Sequence, residues 1–318
     1  MLRFILLLLA FVFCVSPCLS EETPVTFYEA PLQITLTFTG DCTLGNTPKV
    51  RGFDYSFESY IEQNGLAYPF QNVLPLFQSD DITVINLEGV FHDSEIGVAQ
   101  GKTYTFRSPT AFAAMLPQNS IEMAYLGNNH VYDYGKQGYQ STTQALDDNQ
   151  VMWFGTTEFG DVPYIYEKGN AKIGFVSINI SYWWSDGVGE QIKETMRKLK
   201  EEEGCSMIIA CIHGGVEYDI RHDSNQERMA NAFIRNGADI VVGNHPHVIQ
   251  GLRVENGKTT LYSLGNFVFG GNHKVRSLRT YIAQITLSFS EDGTYLGHQL
   301  NHRQQLHCQA RPASYPDG

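Results

Sequence analysis

Two imidazoles two residues apart close the apolar run Asp239-Ile240-Val241-Val242, in the string Gly243-Asn244-His245-Pro246-His247. Imidazole binds borderline divalent metals and exchanges protons near neutral pH. Pro246 has a fixed φ and disfavours helical geometry in the residue before it, which predicts an extended His245 and a partly preorganised pair. An H-x-H motif alone is weak, and a plain loop is its ordinary alternative. Four more groups of ligand-type residues also end apolar runs. They are Gly40-Asp41-Cys42-Thr43, Asn86-Leu87-Glu88-Gly89, Gly127-Asn128-Asn129-His130 with Asp133 beyond it, and His213-Gly214-Gly215-Val216-Glu217. Each by itself reads equally well as a strand-end turn, because Asp, Asn and Gly favour turns. Together their carboxylate, amide and imidazole groups suit a borderline divalent metal such as manganese, iron or zinc; no cysteine-rich zinc pattern occurs in the sequence.

Such groups meet only if the chain brings the strand ends to one place. Short apolar runs predict strands at 34–39, 82–86, 123–126, 172–179, 207–212 and 240–242. Helical spacing covers 138–149, 189–203 and 224–236, the last stopped by Gly237. After residue 250 the pattern turns to strands at 252–255, 259–264, 280–289 and 295–304, with Asn256-Gly257 as a tight hairpin turn. This alternation points to α/β layering, in which ligands bind beyond the carboxyl ends of the strands.

The chain has 318 residues, 42% hydrophobic and 18% charged, enough for one large core. Arg3, the apolar stretch that follows it and Ser20 before Glu21-Glu22 predict a secretory signal peptide over residues 1–20. Residues 21–33 are then a leader, 34–310 a single domain and 311–318 a tail. The protein is expected to be exported and extracytoplasmic, in the cell envelope, periplasm or medium; an uncleaved segment would leave it membrane-anchored. Cleavage leaves 21 bases against 34 acids, a charge of −13. Such a chain repels nucleic acid, and a polyanionic substrate would need local positive charge from a metal or an arginine. Arg107 offers a fork for a carboxylate or phosphate, with a solvated loop arginine as its alternative. Trp183 and Trp184 either wall a groove or pack on a sheet edge. Glu217 is placed to orient His213 as a partner behind the ligand.

The strings Gly40-Asp41, Asn86-Leu87-Glu88, Asn128-Asn129-His130 with Asp133 and Gly135, His213 with Glu217, residues 243–248, and Tyr262-Ser263-Leu264-Gly265-Asn266-Phe267-Val268-Phe269 occur in this order. In that order they resemble the CapA-type poly-γ-glutamate capsule-synthesis proteins, a family similar to the calcineurin-like metallophosphoesterases. The resemblance implies an α/β (α+β) fold: a four-layer sandwich of two mixed β-sheets flanked by helices, with a metal site at one end. It implies that Asp41 binds one metal, that Glu88 bridges, that Asn129 binds the second, and that His213, His245 and His247 are the late ligands. His130 would protonate the leaving group. Metallophosphoesterases usually carry histidine where this chain has Thr43, which predicts one ion held more weakly; Cys42 beside it would face away. The implied function is a metal-dependent hydrolase of capsule or envelope polymer production, acting on an anionic polymer or phosphoester, alone or in a membrane-bound capsule synthesis complex. Two alternatives stay open: a phosphoesterase with another extracytoplasmic substrate, and a noncatalytic polymer-binding protein organised by metal.

Overall fold

The computed structural model describes residues 30–157, 160–180, 186–271, 275–277 and 279–306. The expected signal segment 1–20, most of the leader, Trp183, Trp184 and the tail 311–318 lie outside the described residues. The strands are β1 (Leu32–Thr43), β2 (Ile82–Leu87), β3 (Val90–Phe91), β4 (Arg107–Ser108), β5 (Met123–Tyr125), β6 (Met152–Thr157), β7 (Gly160–Val162) and β8 (Tyr164–Lys168). They continue as β9 (Ala171–Asn179), β10 (Met207–His213), β11 (Ile240–Asn244), β12 (Leu252–Glu255), β13 (Lys258–Leu261), β14 (Asn266–Phe269), β15 (Arg279–Phe289) and β16 (Tyr295–Leu306). The helices are α1 (Phe57–Asn64), α2 (Leu74–Phe77), α3 (Met115–Gln118), α4 (Gly135–Asp148), α5 (Asp186–Arg197) and α6 (Ser224–Arg235).

Two mixed sheets result. The first runs β16-β15-β1-β2-β5-β6-β7, with β14 parallel to the end of β1; the second runs β12-β13-β11-β10-β9-β8. In each, the central strands are parallel and the antiparallel ones lie toward the edges. Parallel strands covered on both faces read as unbroken apolar runs, and β2, β10 and β11 are buried at every position. Ile34, Leu36, Phe38 and Val84 of the first sheet pack on Phe175, Ile209, Cys211 and Val242 of the second. Phe154 and Phe175 meet across this interface with ring centroids 5.6 Å apart. Each such buried side chain contributes about 1.5–3 kcal/mol.

The outer face of the first sheet is covered by Phe57 and Ile61 of α1, Phe77 of α2, Met115 and Leu116 of α3, and Ala145 and Leu146 of α4. The second is covered by Ile192 and Met196 of α5 and by Met229, Ala230 and Phe233 of α6. The layers are helix, sheet, sheet, helix, as expected. α6 starts on a capping box, in which Asp223 accepts from the Gln226 N–H and Gln226 reaches back to the Asp223 N–H. The expected strand 259–264 stops at Leu261, and α5 passes into a π-helical stretch at Lys198–Glu202.

Candidate metal centre

The parallel strands of both sheets deliver their carboxyl ends to the same edge of the sandwich. In the first sheet the register shifts between Phe38 and Asp41, and this irregularity re-aims the end of β1. Gly40 is required there, since a Cβ would fall 2.0 Å from the carbonyl oxygen of Gly265. Asp41 is then aligned with Asn86 on one side and Asn266 on the other. Glu88 follows β2, with its N–H donating to the Cys42 carbonyl at 3.0 Å. Asn128, Asn129 and His130 follow β5. From the second sheet, His213 is the last residue of β10, aligned with Asn244 of β11, and His245 and His247 follow directly. The centre thus straddles the two sheets.

Two groups of ligand atoms lie within 4.8 Å of one another: Asp41, Glu88 and His247, and Glu88, His213 and His245. Glu88 belongs to both. Its Oε1 is 3.8 Å from His213 Nε2 and 4.0 Å from His247 Nε2. Asn129 joins the second group, its Oδ1 2.9 Å from His213 Nε2, which is 3.1 Å from His245 Nδ1. His247 Nδ1 lies 2.9 Å from Asn266 Oδ1 and 3.1 Å from Asp41 Oδ2. The six sequence-derived candidate positions therefore converge, and the structure divides the late histidines, His247 falling with Asp41 and His213 and His245 with Asn129.

The residues fit a divalent metal on their own chemistry. Both Glu88 oxygens, Thr43 Oγ1 and both amide atoms of Asn244 are buried without a hydrogen-bond partner, and Asp41 Oδ2 has His247 alone beside it. Unsatisfied buried polar atoms are costly, and unpaired carboxylates more so. Burial and then Asp41 push the Glu88 carboxyl well above its usual range. Burial also raises Asp41, but His247 and Asn86 outweigh it and hold that group low. Burial, followed by the neighbouring histidines, drives His213 well down and His245 to about 4, which leaves neutral imidazoles with lone pairs to offer. Burial opposes charge on His247 too, yet Glu88 and Asp41 raise it to about 9. The carboxylate pair demands positive charge at this spot.

Pro246 does not leave His245 extended. His245 has φ +102° and His247 φ +58°, conformations that cost non-glycine residues about 1–3 kcal/mol each. The loop is held by the Gly214 N–H donating to Asn244 O at 3.0 Å and the Tyr218 N–H donating to Pro246 O at 2.8 Å. These bonds aim both imidazoles into the centre despite the strain.

His130 stands just outside the ligand groups. Its Nδ1 is 2.7 Å from Asp133 Oδ2, and its Nε2 is 3.8 Å from Glu88 Oε1. Burial lowers its pKa and Asp133 opposes that shift. Asp133 also accepts the Phe106 N–H at 2.6 Å and pairs with Lys102, whose Nζ donates to Asn129 O at 2.6 Å. His130, Asn129 and His247 open onto a cleft of about 220 Å³ shared with Lys102, Tyr104, Phe106, Tyr218 and Phe269.

Two expected roles are corrected. Arg107 is buried on β4, where it pairs with Glu95, donates to His92 O and lies over the Tyr134 ring. Its fork is used inside the protein and does not line the cleft. Glu217 is exposed at the cleft rim and makes no hydrogen bond to His213 among the described residues; Asn86 Nδ2, 3.1 Å from His213 Nδ1, holds that place. Cys42 faces away from the centre, against Thr39 and the Gly40 carbonyl, as expected. Sequence reasoning assigned no role to Asn86, Asn128, Asp133, Lys102 or Asn266. Asn86 donates to Asp41 Oδ1 at 2.7 Å, and Asn128 donates to Asn86 Oδ1 at 3.0 Å while accepting the His130 N–H at 2.9 Å. This buried amide chain sets the aim of Asp41 and of the His130 backbone. Only its position inside the recognised strings could have marked it.

Residues 35–271 match the family described as bacterial capsule synthesis protein PGA_cap. Two curated relatives are 27% identical: a capsule biosynthesis protein CapA of Bacillus anthracis over 257 residues, and a PGA biosynthesis protein CapA of Bacillus subtilis strain 168 over 261. The alignments cover 74% and 78% of this chain and span 60% and 66% of those relatives' own lengths. Among solved structures, a phosphatase of Mycoplasma pneumoniae superposes with a TM-score of 0.53 at 14% identity, covering 87% of this chain and 95% of that one. That likeness concerns the fold.

Proposed function

We infer what the centre does from the premise that the chain belongs to the bacterial capsule synthesis protein (PGA_cap) family. The function that the geometry supports best is divalent-metal-dependent hydrolysis of an anionic capsule or envelope polymer. One observation carries this reading: Glu88 is shared by two ligand groups, and neither of its buried oxygens has a hydrogen-bond partner. Asp41, Glu88 and His247 would hold one ion; Glu88, Asn129, His213 and His245 would hold the other. Bound ions would polarise the scissile group and acidify a water near neutral pH. The chain's own residues supply the rest. The Asp133 carboxylate accepts the His130 Nδ1–H, which fixes the ring, turns Nε2 toward the cleft and stabilises the imidazolium. In that doubly protonated form Nε2–H can hand its proton to a departing amine or alkoxide and return to the neutral ring. Phe106, with its ring 4.3 Å from that of His130, and Phe269 wall the site against water.

Export rests on the charged and apolar pattern of residues 1–20, and a membrane-bound synthesis complex is the partner we propose. The test uses purified chain with Mn²⁺ or with chelator, offered a poly-γ-glutamate chain and a chromogenic phosphodiester. Metal-dependent cleavage of the polymer supports the reading. Cleavage of the phosphodiester alone moves the substrate to another phosphoester. With neither cleaved in Mn²⁺, Fe²⁺ or Zn²⁺, the hydrolase reading falls and a noncatalytic polymer-binding role replaces it.

A further inference from the structure

The metal cleft is small for its proposed task. Its 220 Å³ fall below the roughly 300–1,000 Å³ of ordinary ligand pockets, so it has room for the reacting unit of a polymer and little more. A second hollow of about 510 Å³ adjoins it and shares Lys102, Thr103 and Tyr104 as a common wall. Its far side is formed by the segment after β1, with Lys49 and Tyr55, and its floor by residues 98–101. Although the chain as a whole is acidic, no Asp or Glu lines this hollow, while Lys49 and Lys102 do. Arg51 nearby is engaged by Glu58 and Glu95, whereas Lys49 is exposed and has no ion pair among the described residues.

The shared wall is tied to the chemistry. The Ala99 N–H donates to Asp133 O at 2.8 Å, and the Phe106 N–H donates to the carboxylate that holds His130. A chain lying in the hollow would therefore rest on Ala99 and Lys102, both bonded to the Asp133 that orients the acid.

We propose that the hollow lined by Lys49, Tyr55 and Tyr104 is a polymer subsite, which holds the carboxylate-bearing chain leading away from the unit in the metal cleft. The proposal rests on the polymer reading above and adds the location, the charge and the direction of the bound chain. Lys49 supplies the cation, the tyrosine rings supply flat walls for the backbone, and the threonine hydroxyls can donate to carboxylates.

The test measures affinity of labelled polyglutamate for the full chain at low salt, with chelator present so that turnover plays no part. Lys49→Glu replaces an attraction by a repulsion, and the polymer should bind roughly tenfold more weakly, the difference shrinking as salt rises. A glutamate dimer, too short to leave the cleft, should bind both proteins alike. Equal polymer affinity in the variant overturns the subsite, as does an equal loss for the dimer, tighter binding of polyphosphate, or equal binding of an uncharged dextran. No polymer binding by the unaltered chain overturns it as well. Because chelator is present, a failure of the hydrolase reading leaves this result standing. A chain that cleaves polymer but ignores Lys49→Glu sinks the subsite alone.

Discussion

Glu88→Gln separates the energetic role of the carboxylate from its shape. In the native chain both Glu88 oxygens are fully buried without hydrogen-bond partners, beside the second carboxylate Asp41. An ion held there satisfies them and adds RT ln(1 + [L]/Kd) to stability, about 2.7 kcal/mol at a hundredfold excess over Kd and about 4.1 at a thousandfold excess. At about 2–4 °C per kcal/mol for a domain of this size class, Mn²⁺ should raise the unfolding midpoint of the native chain by roughly 5–16 °C over chelator. Glutamine keeps the shape and removes the bridging charge, so most of that shift should vanish. In chelator the variant should unfold at or above the native midpoint, because it no longer buries an ionisable carboxyl that has no hydrogen-bond partner. Scanning calorimetry of both proteins, with chelator and with excess Mn²⁺, reads all four values. A native midpoint indifferent to metal would refute the reasoning, and so would a variant that gains as much from Mn²⁺ as the native chain.

The other predictions concern neighbours of Glu88. The double change His245→Ala with His247→Ala takes one ligand from each group, and elemental analysis should find the bound metal lost. His130→Ala should keep metal content and lower turnover by about 10²–10⁴-fold, the usual worth of a positioned acid, in a steady-state assay. Asp133→Asn should lower turnover by about 10–100-fold with metal unchanged, and the loss should shrink for a nitrophenol leaving group, which needs no proton. Arg107→Ala should leave turnover within about twofold but cost about 1–3 kcal/mol in a denaturant titration, since its bonds to Glu95 and His92 O are internal.

Where local pattern and environment agree, sequence reading reached the structure. The strands at 82–86, 207–212 and 240–242 are continuous apolar runs because helices and a facing sheet cover both sides, and each was placed within two residues. β14 went unread because Asn266–Phe269 pairs only with the end of β1, some 225 residues earlier, and nothing nearby in sequence announces such a partner. α1 escaped because it buries only Phe57 and Ile61, too few for a visible periodicity. The clusters that hold the six candidate ligands were legible through residue type at strand ends, and the family resemblance picked the six out of them. The supporting amides were not, since Asn86, Asn128 and Asn266 look like turn formers until the register sets them beside Asp41 and His247. Arg107 and Glu217 misled for a related reason: charge in a loop shows that a group can bind, while its neighbours in space decide what it binds.

Three candidate ligands come from one sheet and three from the other, with the apolar interface of Phe38, Phe154, Phe175 and Val242 behind them. An ion seated among them would be a clasp, adding to the few hydrogen bonds that already cross between two layers joined mainly by non-directional packing. Binding then reports on alignment: any slide or twist of one sheet against the other lengthens some ligand distances and shortens others. A methylene deleted deep in that interface, far from the cleft, would loosen the grip on metal without altering a single ligand. By the same thermodynamic coupling, metal would stiffen the interior as a whole. The ion and the hydrophobic core are thus two ends of one lever, and the tightness of the site is set partly by residues that never approach it.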